Sequence, residues 1–146
     1  MRVTLSLRGD YAVRAMLALA EHERDASERG DAVPPLLSAG RIATAMRIPQ
    51  RFVAHVLSDL GRAGLVVGSP GRNGGYRLAT SAARVDLLQI VDAAEPHGIK
   101  ARCVLRGVPC DPNGRCAVHD AFSGATAALR SELARTSLVG LVGRRR

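Results

Sequence analysis

Apolar side chains recur at spacings of three and four near the start of the chain. Val13, Met16, Leu17 and Ala20 share one face of a helix predicted from Gly9 to about Glu21. Asp10 stands at its start, where an acidic N-cap would satisfy free amides. The stretch from His22 to Pro35 is charged and then proline-containing, which reads as a loop. A short helix is predicted over Ser38 to Met46, with Ile42 and Met46 facing inward. Ile48-Pro49 breaks it, and a second helix runs from about Pro49 to Ala63. Its apolar stripe is Phe52, Val53, Val56, Leu57 and Leu60, and Gly64 closes it.

The pattern then changes to short strands. Leu65-Val66-Val67 and Tyr76-Arg77-Leu78 flank the turn Ser69-Pro70-Gly71-Arg72-Asn73-Gly74-Gly75. Taken alone, the two central helices would suit an ordinary αα-hairpin. Followed by a basic hairpin, they have the order of a winged helix-turn-helix. Downstream, Asp86 to Ala94 forms a short helix, and Glu95 to Arg115 has no period. Ala117 to Arg135 reads as the longest helix, with Val118, Phe122, Ala125, Leu129 and Leu133 in a near-heptad seam. That seam packs either on its own domain or on a second copy. The second fits better, because helix-turn-helix proteins read paired half-sites with two-fold symmetry. The predicted class is mainly α with a small β-wing: a winged helix-turn-helix plus a long C-terminal dimerisation helix. Residues 1–82 form the DNA-binding part, and residues 83–146 carry the cysteine-bearing loop and the dimerisation helix. The tail from Gly143 to Arg146 reads as frayed and solvated.

Composition sharpens this picture. Aromatics make up 3% of the 146 residues and Trp is absent, so the core must be aliphatic. The net charge of +8 suits a polyanionic partner, either nucleic acid or an anionic membrane surface. No apolar run reaches transmembrane length, and no signal-like apolar stretch precedes a cleavage site. With an odd cysteine count, 3, the expected compartment is the cytoplasm. Between Arg41 and Arg77 the arginines 41, 47, 51, 62, 72 and 77 face a single acid, Asp59. Double-stranded DNA, in a palindromic operator, is the partner this favours. Gln50, Arg51 and His55 are placed to reach base edges, where Arg and Gln pair bidentately with guanine and adenine. Phe52 anchors the helix in the core. Arg72 and Asn73 at the wing tip would touch backbone or minor groove. Arg41 and Arg47 are phosphate contacts or solvated surface charges.

All three cysteines fall in one loop, Cys103, Cys110 and Cys116, followed by His119 in the pattern C-x6-C-x5-C-x2-H. Gly107, Pro109, Pro112 and Gly114 let the backbone curl between them. Clustered thiolates are soft ligands for an iron–sulfur cluster, zinc or copper(I), completed by an imidazole or carboxylate. A Cys3His zinc site is chemically allowed, although the tight C-x2-C knuckle of zinc sites is missing. A redox disulfide pair is a third option. No nucleophile–base constellation, phosphate loop or dinucleotide fingerprint is present, since Gly71 to Gly75 lacks the Lys-Ser/Thr of a phosphate loop. The chain therefore does not read as an enzyme. A small electron-transfer iron–sulfur protein would have no use for the basic helix-turn-helix.

Several of these segments together resemble the IscR/NsrR-like family of iron–sulfur winged-helix transcriptional regulators, over nearly the whole chain. The resemblance is carried by Met1-Arg2-Val3-Thr4 with Gly9 to Leu17, by Gly61-Arg62-Ala63-Gly64-Leu65-Val66, by Gly71 to Leu78, and by the cysteine loop. The first cysteine step is seven residues where six is common, the His22 to Pro35 segment is long, and Pro70 replaces a common basic residue. The resemblance implies a dimeric repressor whose DNA affinity is switched by a 2Fe–2S or 4Fe–4S cluster on Cys103, Cys110 and Cys116. The cluster would sense nitric oxide, oxygen, redox state or iron–sulfur status. It also implies a fourth ligand at one of two positions: His119, as in IscR-like members, or Asp10 from the partner subunit, as in NsrR-like members.

Overall fold

The computed structural model describes residues 3–95, 103, 105, 107–109 and 114–143. Among the described residues, five α-helices and one hairpin make a mainly helical fold with a two-stranded wing. Helix α1 spans Leu7–Glu28, α2 Ala39–Met46, α3 Gln50–Arg62, α4 Leu87–Ala94 and α5 His119–Arg135. Strands β1, Val66–Ser69, and β2, Gly75–Leu78, pair antiparallel with Val66 opposite Leu78 and Ser69 opposite Gly75. Single 3-10 turns follow β2 and α5. No helix among the described residues is long and apolar enough to cross a membrane.

Helix α1 departs most from expectation. It runs to Glu28, so most of the expected loop from His22 is helix, and at 22 residues it exceeds α5, which has 17. No breaker interrupts this segment before Gly30. Its charges are the solvent side of a helix, with Arg24 and Glu28 paired four residues apart. The cap is Ser6, whose hydroxyl accepts from the Gly9 amide at 3.0 Å. Asp10 therefore does not cap the helix; it lies in the first turn and pairs with Arg14 at 2.8 Å. The buried face is broader than one stripe. Ala12, Ala15, Met16, Leu19 and Ala20 are buried, whereas Val13 and Leu17 are half-buried. The reason is position: α1 packs against α2, α3, α4 and β2, so its alanines meet neighbours on several sides.

The helix-turn-helix follows its local signals. Ser38 caps α2 by accepting from the Arg41 amide, and Ile42 and Met46 are buried. Val53, Val56, Leu57 and Leu60 bury the inner face of α3. Its end is a Schellman closure: the Leu65 amide reaches the Leu60 carbonyl at 2.9 Å and the Gly64 amide the Gly61 carbonyl at 3.0 Å. Gly64 at φ +74° makes that turn without a Cβ penalty. Leu65 is thus spent on closing α3, and β1 begins one residue later than the pattern suggested.

The wing is anchored from two directions. Leu37 and Tyr76 exchange both backbone hydrogen bonds at 2.9 Å, which fixes β2 to the segment before α2. A side chain at Gly75 would place its Cβ 2.7 Å from the Leu37 carbonyl oxygen, so the close approach requires glycine. From α1, Glu23 accepts the Leu78 amide at 3.1 Å, and His22 Nε2 donates to the Pro35 carbonyl at 2.9 Å. Burial pushes the Glu23 carboxyl up, against the opposing pull of the Leu78 amide, His22 and Arg77.

Asp86 and Gln89 form a reciprocal capping box that starts α4. The chain returns to this point after α5. The Leu138 amide donates to the Val85 carbonyl at 2.8 Å, and Leu138 is fully buried in a core that joins α1, α3 and α4. By contrast α5 has no buried residue. It is held to α4 by Arg130, bidentate on Asp92 at 3.0 and 2.8 Å. Of its seam, Val118 and Leu133 are half-buried and Phe122, Ala125 and Leu129 are exposed. Packing on its own domain therefore leaves the middle of the seam uncovered. The tail residues 144–146 lie outside the described residues.

Candidate nucleic-acid interface and thiol loop

The face opposite the α3 core stripe carries Gln50, Arg51, Ala54, His55 and Ser58, all exposed. Pro49 precedes α3 with no side-chain cap, so the first amides of this helix have no side chain over them. Between the N-termini of α2 and α3 lies an open groove lined by Ser38, Gly40, Arg41, Thr44, Ala45 and Gln50. Arg41 and Gln50 are expected contact residues, and they share this groove. Thr44 was not legible as part of it; its hydroxyl donates to the Gly40 carbonyl at 3.0 Å and rests on the groove wall.

Arg47 sits in the turn between the two helices at φ +53°, ψ +43°, the left-handed region where glycine is usual. Its side chain is exposed. The turn holds because Ile48 is buried and its amide reaches the Ala43 carbonyl at 3.0 Å. At the wing tip Arg72 and Asn73 are exposed on the turn between β1 and β2. Phe52 is only half-buried. Its ring lies 5.6 Å from that of Tyr11 and carries the Arg51 guanidinium at 4.9 Å from its centroid.

Asp59, the one acid between Arg41 and Arg77, is buried at 4% exposure and pairs with Arg8 of α1 and Arg62 of α3. Its carboxylate is buried while both guanidiniums that pair with it are exposed, so the one acid of this segment is kept off the surface of α3 and the wing. Sequence alone could not reveal this, because Arg8 is 51 residues away.

The expected metal ligands occupy distinct settings. Cys103 is buried at 4% exposure, at the start of a tight turn in which its amide reaches the Val108 carbonyl and the Gly107 amide reaches its own carbonyl, both at 2.7 Å. Cys116 is half-buried at the approach to α5, and its carbonyl accepts the His119 amide at 3.0 Å. Both are thiols. Cys110 lies outside the described residues. His119 opens α5, with Nε2 3.4 Å from the Ser123 hydroxyl. Asp10 is engaged by Arg14, which also donates to the Met46 carbonyl at 3.4 Å. Among the described residues no three His, Cys, Asp or Glu side chains converge on one point. The donor chemistry itself, two thiols flanking a third in one loop, fits a thiophilic metal or cluster.

Comparison with known proteins agrees with this fold. The Rrf2 family model, described as iron-dependent transcriptional regulator, matches residues 5–144. A Rhodobacter capsulatus HTH-type transcriptional regulator described as rrf2-like is 32% identical over 118 residues, covering 77% of this chain and 75% of that protein. The HTH-type transcriptional regulator IscR of Vibrio vulnificus is 30% identical over 115 residues, covering 79% of this chain and 62% of that protein. Among solved structures, CymR, the global cysteine regulator of B. subtilis, superposes with a TM-score of 0.75 at 21% identity, over 99% of this chain and 100% of that one. T. potens IscR gives 0.70 at 19% identity, over 95% and 85%.

Proposed function

The chain belongs to the Rrf2 family of DNA-binding transcriptional regulators, and we propose that it is a cytoplasmic homodimeric repressor whose grip on DNA is switched by an iron–sulfur cluster in the cysteine loop. The observation that carries this reading is the concentration of all three cysteines in the loop leading into α5, a helix whose apolar seam is left exposed at Phe122 and Leu129. A loop that gathers around a metal next to a dimer helix is placed to alter how two copies meet.

In this reading residues 1–82 hold the operator and residues 83–146 hold the cluster and the partner. Gln50, Arg51 and His55 read base edges in the major groove. Arg41 and Arg47 contact phosphates, and Arg72 and Asn73 touch backbone or minor groove. Two copies on α5 would present paired recognition helices to a palindromic operator. Cys103, Cys110 and Cys116 supply three thiolates, with His119 or the partner subunit's Asp10 as the fourth ligand. The cluster, 2Fe–2S or 4Fe–4S, supplies a centre open to redox change and to attack by nitric oxide or oxygen. A carboxylate or imidazole corner exchanges more readily than a fourth thiolate would. A coupling of about 1–3 kcal/mol between cluster state and DNA affinity is enough to change operator occupancy.

The test is anaerobic purification followed by iron, sulfide and zinc analysis, visible absorption and light scattering. Near-equal iron and sulfide, a broad visible band and a dimer are expected. Operator binding should then differ between cluster-loaded and cluster-free protein. A colourless protein with stoichiometric zinc would replace the cluster with a structural Cys3His site. Equal operator affinity in both states would remove the switch.

A further inference from the structure

We infer that Tyr11 of α1 is a positioning residue for Arg51: through the ring of Phe52 it sets the posture in which that guanidinium meets a base. The inference rests on the reading of Arg51 as a base contact. Phe52 touches both of the other side chains: its ring centroid lies 5.6 Å from that of Tyr11, with planes tilted by 37°, and 4.9 Å from the Arg51 guanidinium carbon. Tyr11 and Phe52 are half-buried against the core, whereas Arg51 is exposed. Among the described residues no carboxylate pairs with Arg51, so the ring beneath it is the contact that orients its plane.

An arginine that reads guanine must hold its fork in one plane, and a solvated side chain loses rotamer freedom to do so. Stacking on Phe52 meets that cost in the unbound protein. Phe52 is only half-buried, so the core encloses its ring in part. Tyr11 supplies the second wall. A second fastening supports the geometry: Arg8, one turn before Tyr11, meets Asp59, two turns after Phe52. These two contacts fix α3 against α1 at two levels, so rotation of α3 about its axis is resisted where Arg51 projects.

The experiment uses the full-length protein and a duplex enriched from a random library by the wild type. Binding to that duplex and to a scrambled one is measured at fixed salt for Tyr11→Leu, Tyr11→Phe, Arg51→Ala and the Tyr11→Leu/Arg51→Ala double variant. Tyr11→Leu should weaken binding to the enriched duplex by about two- to five-fold, the range of an exposed cation–π contact. The scrambled duplex should be bound unchanged. Tyr11→Phe should behave as wild type, and Tyr11→Leu should have no further effect once Arg51 is replaced. Independently, the Arg51 Hε resonance should show a ring-current shift that Phe52→Leu abolishes and Tyr11→Leu reduces, a readout available even if binding proves unmeasurable. Additive losses in the double variant, or an Arg51 resonance insensitive to Tyr11, would overturn the positioning role while leaving Arg51 as a base contact. A neutral Arg51→Ala would overturn both readings together.

Discussion

Replacing Arg47 with glycine separates strain from function in the helix-turn-helix. Arg47 is the one non-glycine residue at positive φ among the described residues, at +53°. For an L side chain that conformation costs about 1–2 kcal/mol. Glycine avoids the cost but gives back about 0.5–1 kcal/mol through its larger freedom in the unfolded chain. The Arg47 side chain is exposed, so no packing is lost. Arg47→Gly should therefore stabilise the fold by about 0.5–1 kcal/mol, which raises Tm by about 1–4 °C for a domain of this size. DNA binding should move the opposite way. If Arg47 neutralises one phosphate, its loss makes the slope of log binding constant against log salt shallower by about 0.9. Arg47→Ala is the control, because it loses the charge and keeps the strained Cβ. Thermal melts and salt titrations on the three proteins test both halves. A glycine variant melting no higher than the alanine variant would show that the turn is unstrained. An unchanged salt slope in both variants would remove Arg47 from the phosphate contacts.

Three further outcomes are expected, the first resting on the proposed cluster and the other two on the structure. Cys103→Ala, Cys110→Ala and Cys116→Ala should each abolish the visible chromophore of anaerobically purified protein; a fully coloured Cys110→Ala would strike that residue from the ligand set. Leu138→Ala should destabilise the fold by about 2–5 kcal/mol in denaturant titrations, because it empties a fully buried site where the chain after α5 joins the core; a loss below about 1 kcal/mol would mean that the segment is not part of the cooperative unit. Glu23→Gln should raise Tm at neutral pH. Burial raises the folded-state value of Glu23 above its ordinary 4.5, so its ionised form opposes folding, and the favourable contribution of the protonated form is lost as pH rises through the raised value. The advantage of glutamine should shrink as pH falls through that value and vanish below 4.5, and a pH-independent Tm difference would contradict this assignment.

Elements whose signals are local were legible in the chain alone. Pro49 before an apolar stripe placed α3, Gly64 ended it, and the run from Asp86 to Ala94 placed α4. Gly71 to Gly75 between two short apolar runs marked the wing, and the crowding of Cys103, Cys110 and Cys116 into one loop needed no structure to be seen. Each of these depends on residues within a few positions of one another, and backbone propensity and capping act over that range. Features that depend on distant partners emerged only in the folded chain. The charged run after Glu21 reads like a loop until α1 is seen with its inner side against four elements and its outer side in water. Leu19 and Ala12 belong to no clean stripe, yet both are buried because α1 is enclosed from several directions. Leu37 with Tyr76, Leu138 with Val85, Arg8 with Asp59 and Tyr11 with Phe52 are pairs that no periodicity announces. They form only when folding brings separate segments together, and they fix how the wing, α3 and the chain after α5 are held against the rest of the fold. Residue identity could nominate the side chains that touch a phosphate, a base or a metal, but their relative placement is set by side-chain packing and hydrogen bonds between segments that the chain order keeps apart.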